Sequence, residues 1–247
     1  MKIVAIGGGE IGRPGYPVET TEIDKEIIKL TGKKSPKMLF IPTASSDSEG
    51  YINVVHEHFG KRLGCRVSEL YLLNRKNTIK DLEEKVLRSD IVYVGGGNTL
   101  KMMNAWRKTS LDEILKVAGD RGIVLSGLSA GAICWFKYGN SDSKRFTKSG
   151  ASLIRVSGLN FIPALFCPHY DIEKDRKAGL KDLMKKTSGI AIAVENCCAV
   201  EIVDDKFKII SSKNTANAYR VYWKDEKYFE ERIEKKSQFQ PLSRLLF

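Results

Sequence analysis

The stretch Gly127-Leu128-Ser129-Ala130-Gly131 sets a serine between glycines in a Gly-x-Ser-x-Gly pattern. The apolar run Gly122-Ile123-Val124-Leu125 precedes it, and Ala132, Ile133, Trp135 and Phe136 follow at a spacing that predicts a helix. Strand, sharp turn and helix in that order is the setting in which a serine hydroxyl becomes a nucleophile. Small residues are needed because backbones crowd the turn, and Gly127, Ala130 and Gly131 supply them. The N–H of Ala130 would face the same space as the hydroxyl and could hold a developing oxyanion.

A serine nucleophile needs a base. The chain has three histidines. His56 and His58 fall on a predicted surface helix with a spacing that does not fit a zinc motif. His169, in Leu165-Phe166-Cys167-Pro168-His169-Tyr170, follows an apolar strand, so it would share the carboxyl edge of a sheet with Ser129. A carboxylate should orient its imidazole. Asp142, Asp171 and Glu195 are all candidates, and the residues alone leave that choice open.

Two glycine runs follow apolar strands. Gly7-Gly8-Gly9-Glu10-Ile11-Gly12 satisfies Gly-x-Gly-x-x-Gly, but Arg13-Pro14-Gly15-Tyr16-Pro17 breaks any helix at once. No acidic residue ends the next strand, so a dinucleotide site is not expected. Gly95-Gly96-Gly97-Asn98-Thr99 opens a predicted helix, with backbone N–H groups free to face a ligand.

The elements that must carry these residues alternate. Strands are expected at Lys2–Ile6, Lys37–Pro42, Arg66–Leu72, Ile91–Val94 and Gly122–Leu125, with helices over Thr21–Leu30, Ile52–Leu63, Ile79–Leu87 and Ser110–Val117. Short, continuously apolar strands between helices predict an α/β fold with a mainly parallel, doubly wound sheet flanked by helices. After about residue 150 a helix at Glu173–Lys186 and short strands at Ile190–Val194, Ala199–Val203, Phe207–Ile210 and Tyr219–Tyr222 suggest an antiparallel extension, with a hairpin turn at Asp204-Asp205. No linker or repeat divides the chain, so a single catalytic domain over 1–247 is expected.

Composition narrows the class. Of 247 residues 42% are hydrophobic, which argues against general disorder. No apolar run is long enough for a transmembrane helix, and the start of the chain does not read as a signal peptide. Five scattered cysteines fit a reducing compartment, hence the cytoplasm. The 41 Lys and Arg against 30 Asp and Glu give a net charge of +11. The basic residues are interspersed with acidic ones, which reads as a solvated surface, and neither nucleic acid nor membrane is expected as a partner.

With Gly95-Gly96-Gly97-Asn98-Thr99 about 30 residues ahead of Gly127-Leu128-Ser129-Ala130-Gly131-Ala132, and Pro168-His169-Tyr170 beyond, the chain resembles the peptidase E (aspartyl dipeptidase) and cyanophycinase family of serine peptidases. The resemblance covers residues 1 to about 205 and leaves a basic C-terminal extension from about 206 to 247. It implies a fold similar to class I glutamine amidotransferases. It also implies Ser129 as nucleophile, His169 as base, and an oxyanion hole from Gly97 and Ala130. The acid it favours is Asp142, over Asp171. Asn98 and Thr99 fall where the family contacts the substrate's first residue, and Arg176 is the candidate for a substrate-binding arginine, although its spacing departs from the family's. The implied activity is a serine exopeptidase or dipeptidase on small peptides, without metal or cofactor, with an acidic first residue as one candidate preference and self-association as a homodimer left open. A serine esterase of α/β-hydrolase type and a non-catalytic binding protein on the same scaffold are the competing readings.

Overall fold

The computed structural model describes residues 1–73, 75–172 and 175–247. In chain order its elements are β1 (Lys2–Ile6), α1 (Thr21–Lys29), β2 (Lys37–Ile41), α2 (Glu49–Val55), β3 (Arg66–Glu69), α3 (Ile79–Leu87), β4 (Ile91–Val94), α4 (Thr99–Thr109), α5 (Leu111–Asp120), β5 (Val124–Leu128), α6 (Ala130–Ile133), β6 (Phe136–Ser141), β7 (Ile154–Ser157), β8 (Ile162–Cys167), α7 (Arg176–Lys185), β9 (Ala191–Val194), β10 (Cys198–Val203), β11 (Lys206–Ser211), β12 (Ala218–Lys224), β13 (Lys227–Arg232), β14 (Gln240–Pro241) and α8 (Ser243–Leu246). The expected start of the seventh helix at Glu173 lies outside the described residues.

An eight-stranded sheet runs β14-β11-β10-β1-β5-β4-β2-β3. Its β1, β5, β4, β2 and β3 are parallel, as their continuous apolar runs require. Both faces are covered. Ile3, Ala5, Leu39 and Val92 pack with Trp106 and Leu115 on one side. Val4, Ile6, Phe40 and Tyr93 pack with Ile23, Ile27 and Phe59 on the other. The fold is α/β, as the alternation of elements predicts.

A second sheet, β13-β12-β9-β8-β6-β7, is parallel only through β6, β8 and β9. The sequence reading expected the antiparallel strands as one extension, but they divide between the two sheets. It also expected Trp135 and Phe136 on the nucleophile helix. Instead α6 ends at Ile133 and Phe136 opens β6, because Phe136 is buried against Phe166 of β8 in the second sheet. The C-terminal segment docks: β14 pairs with β11, and Leu245 of α8 is fully buried.

The expected surface helix with His56 and His58 is α2, continued by a π-helical stretch over His56–Arg62. His58 is not on the surface. The wider turn carries it inward, where Nε2 lies 2.8 Å from Oδ2 of the buried Asp24. Thr20 precedes the first helix, and its hydroxyl donates to Asp24 rather than capping the helix.

Candidate active site

The carboxyl ends of β1, β4 and β5 lie side by side because these strands are parallel and in one sheet. Each runs directly into one of the chemically interesting segments: β1 into Gly7, β4 into Gly95 and β5 into Ser129. The ends of β8 and β9 bring in the second sheet. The Ser129 N–H donates to the Ile6 carbonyl at 3.1 Å, the His169 N–H to the Gly7 carbonyl at 3.1 Å, and the Cys197 N–H to the Gly8 carbonyl at 2.8 Å. The last two of these bonds tie the segments that follow β8 and β9 of the second sheet to the first glycine run.

Ser129 sits in the turn between β5 and α6 with φ 56° and ψ −110°, a conformation costly for any residue with a side chain. The crowding expected of that turn is real: a Cβ on Gly131 would fall 2.1 Å from the Val94 carbonyl oxygen. His169 is also left-handed, with φ 52°. Such outliers persist only where the surroundings over-determine them.

Ser129 Oγ lies 2.9 Å from His169 Nε2. The other ring nitrogen, Nδ1, lies 2.8 Å from Asn196 Oδ1. If Nε2 is to accept the serine proton, Nδ1 must carry the ring hydrogen, and the amide oxygen of Asn196 is the acceptor that holds that tautomer. The Asn196 N–H in turn donates to Asp171 Oδ1 at 2.9 Å. A Cβ on Gly8 would fall 2.1 Å from Asn196 Oδ1 and 2.4 Å from His169 Nδ1, so the pair lies directly on the bare glycine backbone.

None of the three carboxylates weighed from the sequence contacts the imidazole in this arrangement. Asp142 is carried at the end of β6 by a strip bonded to the start of α4, whereas Nδ1 faces the turn after β9. Asp171 acts one step removed, through the backbone of Asn196. Glu195 accepts from the Asn217 N–H at 2.7 Å and from the Tyr219 hydroxyl at 2.9 Å. Asn196 is not among the sequence candidates because a triad's third member is expected to be a carboxylate. The signal that could have found it is its place two residues beyond the apolar strand β9, next to Glu195.

Ser129, His169, Asn196, Gly96, Gly97 and Asp142 share one cleft of about 1410 Å³. The Gly96 N–H donates to the Tyr51 hydroxyl at 3.3 Å. Burial pushes that phenol up to about 12, against the pull of the Gly96 N–H, so it stays neutral. No described hydrogen bond takes up the N–H of Gly97 or of Ala130. Among the described residues no group of three or more His, Cys, Asp or Glu could hold a metal ion. No helix there is long and apolar enough to cross a membrane.

The residues expected to touch substrate are placed differently. Asn98 caps α4 by accepting from the Lys101 N–H, and its Nδ2 donates to the Ser143 carbonyl at 3.2 Å. Thr99 is buried and accepts from the Ser141 hydroxyl. Arg176 is 1% exposed, outside the cleft lining, and donates to the Asn140 carbonyl at 2.9 Å. It begins α7, and its guanidinium is engaged with β6 of the second sheet.

Residues 3–210 match the model of peptidase family S51. The Uncharacterized peptidase YgaJ of Bacillus subtilis (strain 168) is 37% identical over 224 residues, 89% of this chain and 91% of that protein. The Peptidase E of a Nostoc species is 22% identical over 199 residues, 76% of this chain and 78% of that one. Among solved structures, a peptidase from an acI-B1 Actinobacterium superposes with a TM-score of 0.72 at 20% identity, covering 97% of this chain and 96% of its own. A putative Peptidase E protein from Listeria monocytogenes EGD-e gives 0.63 at 19% identity, covering 85% and 98%. The family match spans β1 through β11 and takes in the serine, the histidine and the asparagine that meet in the cleft: the chain is a peptidase and belongs to peptidase family S51.

Proposed function

We propose that this peptidase hydrolyses short peptides through Ser129, His169 and Asn196. The observation that carries the reading is the continuous chain from Ser129 Oγ to His169 Nε2 at 2.9 Å and from Nδ1 to Asn196 Oδ1 at 2.8 Å. Ser129 Oγ attacks the substrate carbonyl while Nε2 takes its proton. Asn196 holds the ring and its tautomer, and its amide dipole faces the imidazolium that forms. A neutral amide stabilises that cation less than a carboxylate would. The N–H groups of Gly97 and Ala130 receive the oxyanion, each such donor contributing about 3–4 kcal/mol in transition-state stabilisation. The tetrahedral species collapses, His169 protonates the departing amine, and water then releases the acyl group from Ser129 by the same steps in reverse order.

Five free, buried cysteines support a reducing compartment such as the cytoplasm. Among the described residues the cleft offers an acidic first residue one guanidinium, that of Arg13, which is bonded to Glu10 at 2.7 Å. The deciding test is Ser129→Ala. Its expected result is loss of dipeptide turnover of at least about 10³-fold with an unchanged thermal midpoint. Wild-type turnover in that variant overturns the reading.

A further inference from the structure

Between Gly95 and Asn98 every backbone N–H but one has a described acceptor. The Gly95 N–H donates to the Ile41 carbonyl at 3.2 Å, and the Asn98 N–H to the Ala44 carbonyl at 2.8 Å. The Gly96 N–H turns instead to a side chain from far along the chain, the Tyr51 hydroxyl, at 3.3 Å. Gly97 is the exception, its N–H left over on the cleft wall. This loop lies against the nucleophile. A Cβ on Gly96 would fall 3.6 Å from Ser129 Cβ and 3.5 Å from the Leu128 carbonyl oxygen. One on Gly97, whose φ is 137°, would fall 2.3 Å from the Ala44 carbonyl oxygen, so the loop is bare backbone on both sides.

Tyr51 is itself firmly placed. It lies in the first turn of α2, where the capping Ser48 hydroxyl accepts its N–H at 3.4 Å. The helical run continues past α2 to His58, which is anchored on the buried Asp24. The Tyr51 ring meets Phe40 edge-on, with centroids 5.1 Å apart. A Cβ on Gly95 would fall 2.9 Å from Tyr51 Cε1 and 3.1 Å from Phe40 Cζ. The two rings therefore rest on the Gly95 backbone, and the Tyr51 hydroxyl holds the N–H of the next residue.

Three consecutive glycines have more backbone freedom than any other sequence. An N–H that is to receive an oxyanion must already be aimed before the charge develops, or the gain is lost to reorganisation. The Gly97 N–H belongs to the peptide plane between Gly96 and Gly97. The Asn98 bond fixes the chain after that plane, and the Tyr51 bond is what fixes it before. We propose that Tyr51 is a positioning residue for the oxyanion hole: its hydroxyl clamps Gly96 so that the Gly97 N–H stays turned to the substrate carbonyl. The proposal rests on Ser129 as nucleophile and on the Gly97 N–H as oxyanion donor.

The test compares wild type with Tyr51→Phe, which keeps the ring on Gly95 and removes only the acceptor. Tyr71→Phe is the control, since it removes a phenol that donates to Glu49 at the start of the same helix and lies outside the cleft lining. The substrate is the dipeptide that wild type cleaves fastest, and the probe is the aldehyde of that peptide's acyl half. Ser129 Oγ adds to the aldehyde carbon, the serine proton passes to His169 Nε2, and the carbonyl electron pair moves onto oxygen, giving a tetrahedral oxyanion that mimics the transition state. Tyr51→Phe should lower kcat by about tenfold, the loss of one hydrogen bond, with KM within about threefold because the clamp acts in the transition state. The aldehyde inhibition constant should rise by the same factor as kcat/KM falls. Tyr71→Phe should leave all three unchanged. An unchanged kcat in Tyr51→Phe, with or without a lower thermal midpoint, overturns the proposal. So does a rise in KM alone, or unchanged aldehyde inhibition beside a lowered kcat. A faster Tyr51→Phe enzyme overturns it too, since the hydroxyl would then be masking the Gly96 N–H. An unaffected Tyr51→Phe beside an inactive Ser129→Ala removes the clamp and leaves the serine reading standing, whereas wild-type turnover in Ser129→Ala removes both.

Discussion

Gly8→Ala is the sharpest test of the His169–Asn196 pair. The φ of Gly8 is one that alanine adopts, so the backbone tolerates the change, and the whole effect comes from the added methyl. That methyl would lie 2.1 Å from Asn196 Oδ1, 2.4 Å from His169 Nδ1 and 2.6 Å from His169 Cε1. Real Cβ contacts essentially never fall below 3.0 Å, so the amide oxygen must give way by at least 3.0 − 2.1 = 0.9 Å and the ring nitrogen by 3.0 − 2.4 = 0.6 Å. Both shifts act on one hydrogen bond. A displacement of about 1 Å at a catalytic group costs on the order of 10²-fold in rate, equivalent to about 2.7 kcal/mol. Overpacking adds a stability loss of about 1–3 kcal/mol, and a chain of this size then loses about 2–4 °C in Tm per kcal/mol. Gly60→Ala is the control, since its Cβ meets nothing closer than Val67 Cγ2 at 3.7 Å. The measurements are dipeptide kcat/KM and Tm for both variants. Gly8→Ala within twofold of wild type refutes the argument that this glycine exists to seat the pair.

Two further outcomes follow from the same geometry. Asn196→Ala removes the acceptor at 2.8 Å from Nδ1 and should lower kcat/KM by about 10²–10³-fold. Asn196→Asp puts a negative charge there, which favours the imidazolium, so the acid limb of the pH–kcat/KM profile should move to higher pH by about one unit; an unmoved limb argues that His169 is not the base. Asp90 tests the fold rather than the site. Burial raises its carboxyl, but the Lys33 ammonium at 2.7 Å and the Lys37 N–H at 2.8 Å outweigh it and hold the group below the usual carboxylate range. A lowered carboxylate stabilises the folded state above its unfolded value and loses that contribution as pH falls through the folded one. Asp90→Asn should therefore cost about 1 kcal/mol at pH 7, with the difference in Tm closing below about pH 3–4. A gap that stays constant across that range contradicts the assignment.

The parts of the site that lie in one short segment were readable from residues alone. Ser129 sits in a local strand–turn–helix pattern, and His169 follows directly on an apolar strand, so neither needs knowledge of distant contacts. Asn196 depends on β9 and β8 being neighbours, which no local pattern encodes. Asn98 and Thr99 lie in the expected loop, yet their side chains are turned to Ser143 and Ser141, more than forty positions along the chain. Arg176 failed as a cleft residue for the same reason: its distance in sequence from His169 is short, but α7 folds it beneath β6.

By itself the sequence determined the α/β class, the places of the first five strands along the chain, the strand–turn–helix at Ser129 and the histidine that faces it. Those features follow from hydrophobic periodicity and from small residues at a crowded turn, both of which act over a few residues. The tertiary structure decided that β6–β9, β12 and β13 build a second sheet while β10, β11 and β14 join the first, that Asn196 lies against the imidazole, and that Asp142 stands unpaired on the cleft wall. Each of these depends on which strand ends meet across the two sheets. Long-range pairing of that kind is set by the packing of the whole core, and no spacing within one segment records it.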